Sequence, residues 1–183
     1  MKKTHLKILE ELKQVAEQLD DNQIESFSNK LNKAERIFVA GEGRSGLMGK
    51  AFAMRLMHAG YDVFVKGETI TPSIQKNDVL VEISGSGNST SLLSAAQQVK
   101  KSGATLLLVT TAPDSELGHL ADETIRVPAA TKLRRPKEPV TIQPMGNQFD
   151  QSVHILLDAV VISLTQSRDD INHYMKEQHE NLD

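Results

Sequence analysis

The amino-terminal part of the chain shows a helical spacing of apolar residues. Four apolar side chains fall on one face of a helix over residues 4–19, namely Ile8, Leu12, Val15 and Leu19. Asp20, followed three positions later by Gln23, is typical of a helix start. The pattern therefore predicts two amino-terminal helices within residues 4–33.

From residue 36 onward, short apolar runs alternate with longer amphipathic segments. We predict strands over 36–40, 61–65, 78–84, 104–109 and 124–127. We predict helices over 45–59, 89–101 and 115–121, and a long helix from Met145 to about Ser167 followed by a polar tail. Several strands are apolar on both faces, which is typical of a parallel sheet between helices. The alternation predicts an α/β, three-layer sandwich with a five-stranded parallel sheet.

No internal repeat and no linker divides the chain, so its 183 residues predict one domain. Within residues 1–183 we distinguish the amino-terminal helices (4–33), the sheet and core (36–128), a flexible loop (129–144) and a carboxy-terminal helix with its tail (145–183).

The composition narrows the classes of function. With 21 Lys and Arg against 24 Asp and Glu, the net charge of −3 provides no global field for nucleic acid. The chain has no Cys, which excludes thiol nucleophiles, iron–sulfur clusters and cysteine zinc sites, and fits a cytoplasmic location. We read no signal peptide and no apolar segment long enough to span a membrane.

The first candidate site is the glycine-rich turn after the first predicted strand, Gly41-Glu42-Gly43-Arg44-Ser45-Gly46. Glycines and a helix start are suited to an anion, and the spacing matches the dinucleotide pattern G-x-G-x-x-G. A dinucleotide site also needs an acidic residue near the end of the second strand. The only acid in that strand is Asp62, at its start, so the pattern favours another anionic ligand over NAD.

A second candidate is the serine-rich turn after the third predicted strand, over residues 84–90 (SGSGNST). Hydroxyls and free backbone N–H groups can enclose a phosphate without a metal. The alternative is an ordinary polar turn in which Asn88 or Ser89 caps the next helix. If the first and third strands are neighbours, both turns meet at the carboxyl edge of the sheet.

Four of the six prolines lie in one irregular segment, Pro128 to Pro144, together with four cations: Lys132, Arg134, Arg135 and Lys137. We expect a solvated surface loop. The functional alternative is a mobile flap whose cations meet an anionic ligand.

Three stretches carry a resemblance to a known family. They are AGEGRSGLMGKAFAMRLMHAGYDV at 40–63, ISGSGNSTSL at 83–92 and TIQPMGNQFDQSVHILLDAVV at 141–161. The chain resembles the sugar isomerase (SIS) domain family and, more closely, its 6-phospho-3-hexuloisomerase branch, which belongs to the ribulose monophosphate pathway of formaldehyde fixation. The resemblance spans almost the whole chain.

The resemblance implies a flavodoxin-like strand order, a homotetramer and conversion of D-arabino-hex-3-ulose 6-phosphate to D-fructose 6-phosphate. It also implies a pathway neighbour, 3-hexulose-6-phosphate synthase. By position in the motifs, substrate phosphate contacts are expected at Ser45, Ser84, Ser86 and Ser89, with backbone help from Gly43, Gly85 and Gly87.

Moving a carbonyl from C3 to C2 requires a proton to leave C2 and return at C3, through an enediol. One carboxylate with a raised pKa can perform both transfers, and no hydride moves, so we expect no nicotinamide or other cofactor. The candidate base is Asp150, at a position where the family usually has Glu. The alternative is that Asp150 only favours the helix start electrostatically.

Histidines supply the remaining candidates. His179, in the polar tail, is either a solvated terminal side chain or, as the resemblance implies, a catalytic group that can act in a neighbouring subunit. His58 and Arg44 are possible substrate contacts, with a core-edge histidine and an exposed loop arginine as the alternatives. The six histidines are scattered along the chain, so we expect no metal site.

Three rival functions remain open at this point. The first is another SIS isomerase, for example one acting on arabinose 5-phosphate, and the second is a non-catalytic sugar-phosphate sensor. The third is a dinucleotide-dependent oxidoreductase.

Overall fold

The computed structural model describes residues 1–181 of the chain. The helices are α1 (Lys2–Ala16), α2 (Asp21–Asn32), α3 (Gly43–His58), α4 (Thr90–Ser102), α5 (Glu116–Leu120), α6 (Asn147–Thr165) and α7 (Ile171–Glu177). The strands are β1 (Ile37–Gly41), β2 (Val63–Val65), β3 (Val79–Ile83), β4 (Thr105–Thr110) and β5 (Glu123–Arg126).

All five strands form one parallel sheet in the order β2-β1-β3-β4-β5. This order is the flavodoxin-like one, and it confirms the predicted α/β class. In the register, Val39 of β1 faces Val65 of β2 on one side and Val81 of β3 on the other. The strand order thus reverses at β1, because β2 is added on one side of it and β3 to β5 on the other. Open α/β sheets bind their ligands at the carboxyl ends of the strands at such a point.

Alternate side chains of each strand enter two separate cores. One core lies under α1, α2, α3 and α6 and contains large buried side chains such as Phe27, Phe52 and Leu157. The other lies under α4 and α5 and contains Leu92 and Leu117. Because both faces of the sheet are covered, the strands read as apolar runs, and the structure is a three-layer sandwich. In the described residues no helix combines the length and apolarity needed to cross a bilayer.

The ends of the helices follow local chemistry. The Asp20 side chain accepts a hydrogen bond from Asn22 N at the start of α2, which confirms this predicted helix start. Gly103 ends α4 in the left-handed conformation, with φ 75°. The predicted start of the long helix at Met145 is wrong by two residues, because Met145 itself has a φ of 53° and α6 begins at Asn147.

The tail, which the sequence predicts only to be polar, contains a further helix. Residues 171–177 form α7, which packs against α3. Its Tyr174 lies so close to Gly60 that a Cβ at this glycine would be 2.5 Å from the phenol oxygen. Its apolar residues Ile171, Tyr174 and Met175 share one face, but a helix of seven residues is too short for this spacing to stand out in the sequence.

The segment over residues 129–144 is bonded to the rest of the domain by buried carboxylate and amide groups. Glu11 of α1 accepts hydrogen bonds from the Thr141 hydroxyl, from Ile142 N and from Gln143 Nε2. Burial acts to raise the pKa of Glu11, but these hydrogen bonds outweigh it and lower the pKa below its ordinary value. A long-range carboxylate therefore holds the distal half of the segment against α1.

Candidate active site

A cavity of about 380 Å³ lies at the carboxyl edge of the sheet, where β1 and β3 end. The glycine-rich turn and the start of α3 form one side of it, and the serine turn forms another. The start of α6 and residues 131–133 complete its wall. Its position at the reversal of strand order follows from the sheet topology, and its size is ordinary for a small-molecule site.

The glycine-rich turn is closed by two glycines that touch. A Cβ added to Gly46 would lie 2.6 Å from the carbonyl oxygen of Gly41, so larger residues cannot occupy this position without moving the backbone. Gly43, with a φ of 56°, begins α3 at the cavity wall. The first N–H groups of α3 have no partner within the helix, and this end of the helix favours an anion.

The serine turn is internally hydrogen-bonded through its hydroxyl oxygens. Ser84 Oγ accepts from Gly87 N at 3.1 Å, and Ser86 Oγ accepts from Asn88 N at 3.4 Å. Ser89 caps α4, its Oγ accepting from Leu92 N at 3.3 Å. Because each oxygen accepts a bond from the backbone, each hydroxyl proton remains available for an anion in the cavity.

Gly87 itself lies outside the cavity wall, unlike Gly43 and Gly85. Its N–H bonds to Ser84, its φ is 68°, and a Cβ there would be 1.8 Å from Ser115 Oγ. The structure therefore places Gly87 as the residue that allows the turn to fold, because its N–H is already used within the turn.

Asp150 is buried at the start of α6 and lines the same cavity. Its Oδ1 accepts a hydrogen bond from Ser45 Oγ at 2.8 Å. Burial raises the pKa of Asp150, and the Ser45 hydrogen bond and the charge of Arg44 only partly oppose this. A carboxyl with a raised pKa in a cavity is a suitable acid–base group.

Arg44 bridges the first turn and α6. Its Nη1 donates to Asn147 Oδ1, and its Nε lies 3.9 Å from Asp150 Oδ2. The guanidinium thus lies beside the carboxylate, and it is suited to hold an oxygen close to the position where a proton moves.

The two candidate histidines lie far from this cavity within the chain. The His58 and His179 rings stack on each other with centroids 5.5 Å apart. His58 ends α3, and fifteen residues of helix at about 1.5 Å per residue separate it by about 22 Å from Gly43. Burial, with the charges of Arg55 and His179, lowers the pKa of His58. The structure therefore pairs these histidines with each other and does not bring them to Asp150.

Some residues of the cavity wall were not named as site residues from the sequence. They include Glu42, Thr131, Lys132 and Asn147. Glu42 belongs to the glycine-rich motif and Lys132 is one of the four loop cations, so the sequence contained evidence for a site role of both residues. In residues 1–181 no group of three or more His, Asp or Glu side chains is arranged to hold a metal ion.

The fold and this cavity define a doubly wound α/β domain whose two turns present hydroxyl and backbone N–H groups suited to an anion. The SIS domain model matches residues 30–135, which include both turns but not α6. The chain therefore belongs to the SIS domain family.

Within this family, curated relatives with one stated activity resemble most of the chain. The 3-hexulose-6-phosphate isomerase of Bacillus subtilis is 36% identical over 176 residues, covering 96% of this chain and 95% of the relative. The 3-hexulose-6-phosphate isomerase of Mycobacterium gastri is 38% identical over 157 residues, covering 86% and 78%. A crystal structure from Methanococcus jannaschii, from which the same isomerase function was inferred, matches with a TM-score of 0.81 and 32% identity over 98% of this chain and 96% of that one.

Proposed function

We propose that this protein is a ketose-phosphate isomerase that converts D-arabino-hex-3-ulose 6-phosphate to D-fructose 6-phosphate. The observation that carries the proposal is the placement of the buried Asp150 carboxyl in the same cavity as the serine turn. The activity stated for the Bacillus and Mycobacterium relatives agrees with this arrangement.

In this proposal the substrate phosphate binds at the serine turn. The hydroxyls of Ser84, Ser86 and Ser89 donate to its oxygens, and the backbone of Gly85 borders it. Gly87 acts indirectly, by holding Ser84 in place. The sugar chain then extends across the cavity toward the start of α6.

Asp150 is the proposed base. It takes the proton from C2 and returns it at C3 on the same face of the enediol, which its raised pKa favours because the carboxyl must be able to hold the proton between the two steps. Arg44, next to this carboxyl, is placed to hold the developing enediolate oxygen. Gly43, at the start of α3, adds backbone N–H groups nearby.

The Ser45 hydroxyl has two possible acceptors in this proposal, the substrate phosphate and the Asp150 carboxylate. It can donate its single proton to the substrate phosphate only by giving up its bond to Asp150. Losing this bond removes one of the two interactions that lower the pKa of Asp150, so a phosphate contact at Ser45 would make the base stronger.

We further propose a homotetramer in which His179 and His58 act in a neighbouring subunit's site. Apolar side chains on α3 and α6 are exposed in the single chain, among them Leu47, Met54, Ile155 and Ile162. An exposed apolar face of this kind is typical of a subunit contact. Because the histidine pair lies about 22 Å from the glycine-rich turn along α3, only a partner chain could bring it to that turn.

Light scattering tests the assembly, and mixed oligomers test the shared site. Asp150→Asn and His179→Ala subunits, each inactive alone, should recover turnover when mixed if the two residues serve one site across an interface. A monomer in solution, or a mixture that stays inactive although it assembles, would remove His179 from the role.

The proposed setting is the ribulose monophosphate pathway, in the cytoplasm. The substrate is the product of 3-hexulose-6-phosphate synthase, which condenses formaldehyde with ribulose 5-phosphate, so that enzyme is the expected pathway neighbour. Formation of fructose 6-phosphate from formaldehyde and ribulose 5-phosphate, when this protein and a synthase are combined, tests the placement in the pathway. Cell fractionation tests the location.

A substrate comparison tests the activity itself. The purified protein is expected to form fructose 6-phosphate from the 3-hexulose ester and to leave arabinose 5-phosphate unchanged. Turnover of arabinose 5-phosphate in place of the hexulose ester would assign a different SIS isomerase activity.

A further inference from the structure

The segment 131–133 brings one lysine to the wall of the serine-turn cavity. Of the four cations in the proline-rich loop, Lys132 lines this cavity, whereas Arg135 and Lys137 line a separate groove between the ends of β4 and β5. Arg134 donates to the carbonyl oxygen of Gln143. Lys132 makes no ion pair with any residue from 1 to 181.

The backbone that carries Lys132 is held in place by polar side chains. Ala130 N donates to Gln148 Oε1 at 2.7 Å, and Gln148 is a buried residue of α6, two positions before Asp150. Thr131 donates twice to Glu138, from its N at 2.9 Å and from its hydroxyl at 2.7 Å. The segment next to Lys132 is therefore anchored on the same helix that carries the proposed base.

The anchored segment lies against the serine turn. A Cβ added to Gly85 would be 3.4 Å from the methyl carbon of Thr131, so the Thr131 side chain lies against this glycine. Arg44, by contrast, is bonded to Asn147 and lies beside Asp150 at the start of α6. Of the two cations in the cavity wall, Arg44 is therefore already engaged with α6, whereas Lys132 follows a residue that lies against the serine turn.

Lys132 also changes the charge balance of the cavity wall. Its wall contains two acids, Glu42 and Asp150, and two cations, Arg44 and Lys132. When Asp150 is ionised, a wall without Lys132 would have a net negative charge, and hydroxyls and amides would supply only partial positive charges to a phosphate dianion.

We propose that Lys132 is the counter-ion of the substrate phosphate at the serine turn and selects dianionic esters over neutral sugars. This inference rests on the proposed sugar-phosphate function and adds a binding residue to it. Its ammonium adds a charge-assisted hydrogen bond to a phosphate oxygen that the serine hydroxyls also contact.

Steady-state kinetics of Lys132→Ala tests the role. We expect KM for the hexulose 6-phosphate to rise by roughly tenfold to a hundredfold, the usual range for removing a charged hydrogen-bond partner, with kcat changed by less than about threefold. Lys132→Arg, which keeps the charge, is expected to restore most of the affinity. Lys137→Ala is the matched control, because it removes an exposed lysine of the same loop that lines the other groove.

Inorganic phosphate provides a readout that needs no turnover. It is expected to stabilise the wild type and Lys137→Ala against heat, and to stabilise Lys132→Ala at concentrations higher by the same factor as its rise in KM. A loss of kcat with unchanged KM, unchanged phosphate stabilisation, or an equal effect in Lys137→Ala would each overturn the proposal. If the wild type binds phosphate through Lys132 but does not isomerise the ester, the proposed function fails while this binding role stands.

Discussion

Glu82 places an unpaired carboxyl in the middle of the sheet, and this makes a strong prediction about stability. The residue lies on β3 between Ala40 of β1 and Leu108 of β4, is 0% exposed, and neither of its oxygens has a hydrogen-bond partner in the described chain. Burial raises the pKa of Glu82 from 4.5 to about 8, although the charge of Lys66 opposes the rise. At neutral pH the folded protein therefore holds this carboxyl mainly in its protonated form.

The sign and size of the effect follow from proton linkage. Between pH 4.5 and about pH 8 the unfolded chain has released the Glu82 proton while the folded chain keeps it. The free energy of unfolding therefore falls as the pH rises. At about 1.4 kcal/mol per pH unit, the whole window corresponds to roughly 5 kcal/mol. Between about pH 5.5 and about pH 8.5 the expected loss is roughly 3 kcal/mol.

Urea unfolding at these two pH values, at constant protein concentration, measures the loss. Glu82→Gln does not titrate and is expected to remove this alkaline decrease from the wild-type profile. Glu123→Gln is the control: burial acts to raise the pKa of Glu123, but hydrogen bonds from Ser26 and Lys30 lower it below its ordinary value. Its variant should therefore keep the alkaline decrease. A wild-type profile that is flat, or a Glu82→Gln profile with the same decrease, would refute the reasoning.

Two further predictions concern the serine turn and the carboxy-terminal helix. Gly87→Ala should cost roughly 1–3 kcal/mol in thermal or urea unfolding, because it combines a φ of 68° with a steric clash against a serine hydroxyl. Gly67→Ala, with a φ of 92° in open space, should cost less, and equal losses would contradict this account. Burial, Arg55 and His179 lower the pKa of His58. Below pH 6.5 the folded state therefore binds fewer protons at this residue than the unfolded state does. Hydrogen exchange in α7, corrected for its intrinsic pH dependence, should therefore accelerate as the pH falls below 6.5, and unchanged protection would argue against the histidine contact.

Local pattern predicted the sheet and its two turns because each depends on neighbouring residues. The apolar runs around Phe38, Leu80 and Leu107 are buried strands, and glycines or serines follow the first two at the carboxyl edge. The prediction that the two turns meet at one edge of the sheet also required β1 and β3 to be adjacent. The strand order shows that they are.

Local patterns do not predict which distant residues come into contact. The four cations of the proline-rich loop look alike in sequence, and the structure separates Lys132 from the others through anchors at Gln148 and Glu138, which no local spacing reveals. The packing of Tyr174 against Gly60 likewise joins residues more than a hundred positions apart. The proposed role of the histidines in a neighbouring subunit's site involves contacts outside the single chain, so it stays a prediction.

The most direct test of the proposed isomerase follows the proton. Wild-type protein incubated with the hexulose 6-phosphate in heavy water is expected to form fructose 6-phosphate with solvent deuterium incorporated at carbon. Asp150→Asn should slow this by roughly a hundredfold to ten-thousandfold while inorganic phosphate still stabilises the protein. Failure of the wild type to form fructose 6-phosphate, or normal turnover by Asp150→Asn, would contradict the account.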